Sequence, residues 1–158
     1  HFEPPVSPRR IEGTSGVIAG LRTSTRRGEI LKAIVEGTAL YFVESLGILA
    51  RLGIPTRELI ASGGGAKSDR GLQIRADVFG VPVVRPRIVE AGTLGAAMLA
   101  GMATKALGGP AEAAALFVRR DRVFEPDAAR HAAYCAKHGQ YGRLVPAVKS
   151  VFQQSGHA

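Results

Sequence analysis

Ser62-Gly63-Gly64-Gly65-Ala66-Lys67-Ser68 stands between a short apolar run, Glu58-Leu-Ile-Ala-Ser62, and a helical pattern carrying Leu72, Ile74, Ala76, Val78 and Phe79. The run is bounded by Pro55 and by the glycines, and it reads as a buried strand. Ser68 or Asp69 is placed to cap the helix and Gly80 to close it. Consecutive glycines let a backbone approach a ligand with no Cβ in the way. The helix start behind them offers unpaired N–H groups and the positive end of a dipole. For one glycine a plain tight turn would explain the sequence. Three at this point favour contact with an anion or a nucleotide.

The loop fits neither common nucleotide fingerprint. A Walker A loop needs glycine, four residues, then Gly-Lys-Ser/Thr; Lys67-Ser68 is preceded by Ala66, and the upstream glycine position is Ala61. A dinucleotide fingerprint is met by Gly63 and Gly65 but broken at Ser68. The next strand ends in Arg85 and Arg87, where an NAD-binder would carry an acid and an NADP-binder an arginine. An NADP-binding domain therefore stays open as a lesser alternative.

Outward from the loop, Gly16-Val-Ile-Ala-Gly-Leu21 reads as a short strand. A long helix is predicted from about Thr25, with Ile30 and Ile34 four apart and Leu40, Val43, Leu46, Leu49 and Leu52 three apart. Gly53 and Pro55 stop it. Val81-Pro-Val-Val84 reads as a strand, with Pro82 confined to an edge or a strand start. A small-residue helix follows over about 91–106, then a break at Gly108-Gly109-Pro110. Beyond it come a short Ala-rich helix, a charged stretch Arg119-Arg-Asp-Arg122 whose Arg119-Arg120 pair is expected to be solvated, and a final helix from about Pro126 to Phe152. This order predicts an α/β fold with a short parallel sheet covered by helices. Two or three strands make an incomplete sheet, since parallel strands call for neighbours and cover on both faces. Residues 1–15, with three prolines, read as an irregular lead-in, and residues 16–158 as the folded domain.

The chain has 158 residues, 46% apolar and 22% charged, enough for one ordinary domain and too rich in apolar residues for intrinsic disorder. The formal charge is +8, but the arginines are spread along the chain, and three tyrosines with no tryptophan make few stacking platforms. A solvated basic surface, near a phosphorylated small ligand, is expected rather than specific nucleic-acid binding. The single cysteine, Cys135, permits no internal disulfide and no Cys-based zinc site, and fits a reducing cytoplasm. No uninterrupted apolar run approaches the ~18 residues of a membrane span, so no membrane partner is expected, and no signal peptide is evident. His131 and His138, seven apart on the last helix, lack the acids or cysteines a metal site needs. Cys135 is expected as a small core residue, and Tyr134 and Tyr141 as packing or interface groups.

The residues resemble one family. Gly16-Val-Ile-Ala-Gly-Leu21, Thr25-Arg-Arg27, Glu36-Gly37 and the Gly-Gly-Gly-Ala-Lys-Ser loop are similar to the C-terminal nucleotide-binding domain of FGGY carbohydrate kinases. So are Gln73-Ile-Arg-Ala-Asp77, Phe79-Gly80-Val-Pro82, Glu90-Ala-Gly-Thr-Leu-Gly-Ala-Ala97 and Phe124-Glu-Pro126. The resemblance covers nearly all of residues 16–152 and leans toward the xylulokinase-like branch over the glycerol branch. It implies an actin-like ATPase (ribonuclease H-like) fold, with ATP and Mg²⁺ held between two such domains. By motif position it implies Gly64 and Ser68 as nucleotide contacts, with Gly63, Gly65 and Ala66 shaping the loop. Lys67 would face either a phosphate or solvent. Ser68 stands where glycerol kinases carry an asparagine facing adenine, Gly71 where a tryptophan is common, and Arg26 where a threonine is frequent.

Family members are roughly three times as long. The sugar domain and the aspartate that serves as general base precede the stretch seen here, so the resemblance implies a C-terminal part of a larger two-domain kinase. Phosphoryl transfer needs positioning, metal-bound phosphates and an oriented nucleophile. No acid in this chain is nominated as the base: Glu36 lies within a helix pattern, Glu90 at a helix start, and Asp77 late in its helix as a structural or surface group. The expectation is an ATP-binding part of a cytoplasmic sugar kinase. Its substrate, a ketopentose or similar polyol, would be bound by the other domain, and the chain alone would be inactive. A homodimer fits this reading, and a non-catalytic nucleotide-binding or assembly module is the alternative.

Overall fold

A computed structural model describes residues 16–154, with the side chains of residues 145 and 148–154 excepted; the lead-in expected over residues 1–15 lies outside them. The elements run α1 (Arg27–Arg51), β1 (Leu59–Ile60), a 3₁₀ turn (Gly64–Lys67), α2 (Asp69–Phe79), β2 (Val83–Pro86), α3 (Ala91–Ala103), α4 (Pro110–Phe117), β3 (Arg120–Phe124) and α5 (Ala128–Gln154). The sheet order is β1-β2-β3. β1 and β2 are parallel, as the helix between them requires.

α2 organises the rest because both of its faces are apolar. Leu72 and Ala76, four apart, pack with Val83 and Phe124 of the sheet. Val78 and Ile74 on the other side join Ala39 and Leu40 of α1 and Tyr134 of α5. Phe79 touches both clusters. The helix begins where Ser68 Oγ accepts the Gly71 N–H at 3.1 Å. It ends at Gly80, whose φ of 68° is left-handed. A Cβ on Gly80 would stand 2.5 Å from the His131 ring, so only glycine lets α5 close on this turn.

Buried polar groups tie α5 to both helices it covers. Asp77 Oδ1 accepts from Gln73 Nε2 and from the Asp127 N–H, both at 2.9 Å, and Oδ2 takes Arg130 Nε at 2.7 Å. Asp77 is thus the structural group expected, buried rather than at the surface. Glu36, buried on α1, accepts Tyr134 Oη and Lys137 Nζ, each at 2.8 Å. Burial pushes the Glu36 carboxyl up, but the hydrogen bonds from Lys137 and Tyr134 and the charges of Lys137 and Lys32 outweigh it and hold the group below its ordinary value. Burial, then the Glu36 carboxylate, drives the Tyr134 phenol well above its usual value.

Several expectations need correction. Residues 16–21 run as irregular backbone with no strand assignment. The run at 58–62 shrinks to Leu59–Ile60, and Ile60 is exposed, because β1 lies at the sheet edge. Arg119–Arg122 is exposed, as expected of the Arg119-Arg120 pair, but no strand was expected there. Most of it enters β3, which pairs antiparallel with β2 and makes the sheet mixed rather than purely parallel. Arg85 and Arg122 both lie over the Phe124 ring, 5.7 and 5.0 Å from its centroid. α3 stops at Ala103, where Thr104 Oγ1 bonds back to Ala100 O. Cys135 is exposed on α5, not in the core. α1 is long and apolar enough to cross a bilayer by length and composition, with a window of mean hydropathy 1.5. Counting uninterrupted apolar runs misses this, since an average absorbs isolated charges.

Candidate functional site

The connections that follow β1 and β2 leave from the carboxyl ends of two neighbouring parallel strands, and each leads into a helix start. In open α/β sheets this is the edge at which ligands bind. The two connections are fastened together. Gly63 N–H donates to Val89 O at 2.7 Å, and Lys67 Nζ pairs with Glu90, the residue before α3, at 3.1 Å.

The loop residues do different things. Gly63 has φ 70°, a turn conformation that favours glycine, and its carbonyl accepts the Ala66 N–H at 3.0 Å. Nothing lies within 4 Å of where a Cβ would sit on Gly63 or Gly64. Gly64 is solvent-exposed and offers bare peptide to whatever approaches. Gly65 is not bare in that sense: Arg75 Nη1 donates to its carbonyl at 2.9 Å. A Cβ there would meet the guanidinium at 3.1–3.2 Å. Ala66 is fully buried and packs the turn onto the protein. Lys67 and Ser68 are exposed, with the Lys67 ammonium facing Glu90 and the Ser68 hydroxyl engaged as the α2 cap.

Cations crowd this end of α2. Asp69, in its first turn, is held by Arg85 and by Arg122 Nη1, and Arg85 Nε also pairs with Asp121 at 2.7 Å. Its hydrogen bonds to Asp121 and then to Asp69 raise the Arg85 guanidinium further above its already high value. Asp69, Asp121 and Glu90 are therefore occupied by arginine or lysine, and none stands as an unpartnered base. Arg85, which an NADP site would assign to a 2′-phosphate, is committed to carboxylates. His131 Nδ1 lies 2.9 Å from Asp77 O, while Cys135 Sγ lies 3.5 Å from its Nε2. Among the described residues no three His, Cys, Asp or Glu side chains gather as a metal ligand set. A shallow apolar hollow of about 270 Å³ between α3 and α4, lined by Leu94, Met98, Leu107 and Phe117 among others, includes no loop residue.

Sequence reasoning found the loop but not what holds it. Val89, Glu90 and Arg75 touch it from other segments; Glu90 and Arg75 fall within family-like motifs, but nothing in the sequence tied either to the loop.

Comparisons with known proteins converge on one group. The sequence model of the FGGY family of carbohydrate kinases, C-terminal domain, matches residues 2–104. A glycerol kinase of Bordetella parapertussis is 42% identical over 112 residues, 70% of this chain and 22% of that protein. A glycerol kinase of Koribacter versatilis is 36% identical over 135 residues, 85% of this chain and 27% of that protein. Among solved structures, xylulose kinase from Rhodospirillum rubrum superposes with TM-score 0.73 at 28% identity, over 89% of this chain and 28% of that one. Gluconate kinase from Lactobacillus acidophilus does so with TM-score 0.77 at 25% identity, over 91% and 29%. Plasmodium falciparum glycerol kinase, solved with ADP, gives TM-score 0.70 at 25% identity, over 88% and 28%. The chain thus spans about a quarter of the length of the relatives it matches.

Proposed function

Because this chain belongs to the FGGY family of carbohydrate kinases, with the actin-like ATPase fold of its structural neighbours, we propose that residues 16–158 are the nucleotide-binding C-terminal domain of an ATP-dependent kinase. ATP lies along residues 63–68. Its acceptor is a hydroxyl of a sugar or polyol bound by a domain that precedes this one, in a cytoplasmic enzyme. The observation that carries the reading is the open face of Gly63 and Gly64 at the carboxyl ends of two parallel strands.

The fit is physical. A side chain on Gly64 would fill the space a nucleotide takes, and the exposed Gly64 backbone is the nearest contact for the α-phosphate. Gly63 sets the bend, Gly65 and Ala66 shape it, and Lys67 can exchange Glu90 for a phosphate oxygen. Ser68, while capping α2 through its oxygen, keeps a hydroxyl hydrogen for the base or ribose. ATP supplies the transferable γ-phosphoryl group. Mg²⁺ finds no ligand set in the described residues and would arrive on the nucleotide's phosphates. With the acids beside the loop all paired, this chain alone binds nucleotide without turnover.

The acceptor is a ketopentose or similar polyol. The glycerol kinases among the relatives favour the polyol, and the likeness to xylulose kinase keeps the ketose in view.

Calorimetric titration of the 158-residue chain tests the nucleotide half: ATP and ADP bind, and NADPH does not. The reverse pattern would discard the kinase reading. Gly64→Val leaves the fold intact, since nothing stands near its Cβ, and weakens ATP at least about tenfold by occupying the ligand's space. Phosphorylation of glycerol against xylulose by a longer protein containing this chain tests the acceptor.

A further inference from the structure

Arg75 lies in the second turn of α2, ten positions after Gly65. Its side chain runs back toward the helix start. Nη1 donates to Gly65 O at 2.9 Å, and both terminal nitrogens lie 3.1–3.2 Å from where a Cβ on Gly65 would stand. The third glycine therefore faces a guanidinium of its own chain. A planar, always charged fork suits this place: it can hold a carbonyl by one N–H while its face rests on a residue without a side chain. Hydrogen bonds from charged donors are among the stronger ones.

We infer that Arg75 is a positioning residue for the nucleotide loop, a clamp that fixes the 3₁₀ turn Gly64–Lys67 from behind so that Gly64 is presented in one conformation. This rests on the nucleotide reading for its purpose, though not for its geometry. The three glycines then have three separate reasons. Gly63 supplies the left-handed bend, Gly64 the open ligand face, and Gly65 the seat for Arg75. The clamp works with two fastenings on the other side of the loop, Gly63 N–H to Val89 O and Lys67 to Glu90. Arg75 is the one that reaches the turn from α2, so it couples the loop to the helix built on the core.

Hydrogen exchange of the full chain without ligand reads the clamp directly. In Arg75→Ala the Ala66 amide, bonded to Gly63 O, exchanges about tenfold faster, the loss of one hydrogen bond from a charged donor. The mid-helix amides of α2 keep their rates, which shows that the helix is intact. Arg75→Lys, which keeps the charge but not the fork, falls between. Gly65→Ala speeds the same amide in the wild-type background but has little further effect in Arg75→Ala, because the obstructing guanidinium is gone; that non-additivity is the signature of direct contact.

ATP titration of the same proteins follows: Kd rises severalfold in Arg75→Ala, with a smaller rise in Arg75→Lys. Unchanged Ala66 exchange, or equal effects of Gly65→Ala in both backgrounds, overturns the clamp. Faster exchange with unaltered ATP affinity overturns its role in binding. A wild-type chain that binds no ATP sinks the nucleotide reading, and with it the purpose of the clamp, while the exchange result still shows whether the clamp exists.

Discussion

The two βα connections of the sheet lead into helices of opposite character. α2 buries Gly71, Leu72, Ala76, Asp77 and Val78, and is gripped between α1, α5 and the sheet. α3 is the more apolar by composition, yet it buries no residue; with α4 it leaves Leu99, Leu116 and Phe117 exposed, and of the two helices only Ala113 is buried. Hydrophobicity of a segment thus says little about whether it is fixed. α2 has large side chains on opposite faces and polar ends that find partners. α3 presents Gly92, Gly95, Ala96, Ala97 and Gly101, which contribute little volume to fill a gap.

The sharpest way to break this contrast is truncation on the gripped side. Leu72→Ala, fully buried against Val83 and Phe124, should cost about 3 kcal/mol in urea unfolding, the usual cost of a core leucine. Next in size is Asp77→Ala, which strands the Asp127 N–H, takes one of two acceptors from Gln73 and leaves Arg130 only its longer contact with Asp127. Because Arg130 is half solvated, about 2 kcal/mol is expected rather than the cost of a fully buried pair.

The Glu36 contact sharpens the comparison through pH. Its folded pKa lies below the ordinary 4.5, so its contribution is fully present above that value and is lost as pH falls through the lower folded value. Glu36→Gln should flatten that acid limb of the unfolding curve, and an unchanged limb would show that other carboxylates carry it. Smallest is Leu99→Ala on α3. With Leu99 66% exposed, the change should stay within about 0.5 kcal/mol. A cost near that of Leu72→Ala would show α3 to be as firmly packed as α2.

The parts legible in the sequence were those governed by neighbours along the chain. α1 and α2 follow from periodicity, the Ser68 cap from its place ahead of an apolar stripe, and the Gly80 stop from the need for a left-handed residue. Pro82 lies just ahead of β2, as its missing N–H demands. β3 escaped because Arg120-Asp-Arg-Val-Phe124 has no clean alternation: four of its residues are exposed, and only Phe124 turns into the core. Its strand state comes from β2 beside it and from arginines whose charges find Asp69 and Asp121. Gly16–Leu21 is the reverse case, β-type residues in irregular backbone, since such residues do not by themselves impose a strand.

At the loop, the chain's order of residues was enough to predict a bend of little steric bulk leading into a capped helix, because φ preference and capping are local properties. It did not assign the individual glycines. Which of them lies open and which one receives Arg75 depends on a side chain ten positions away folding back along α2. The fastening to Val89 and Glu90 depends on two strands lying side by side. Local sequence sets what a backbone is able to do; packing across distant segments decides what each group touches.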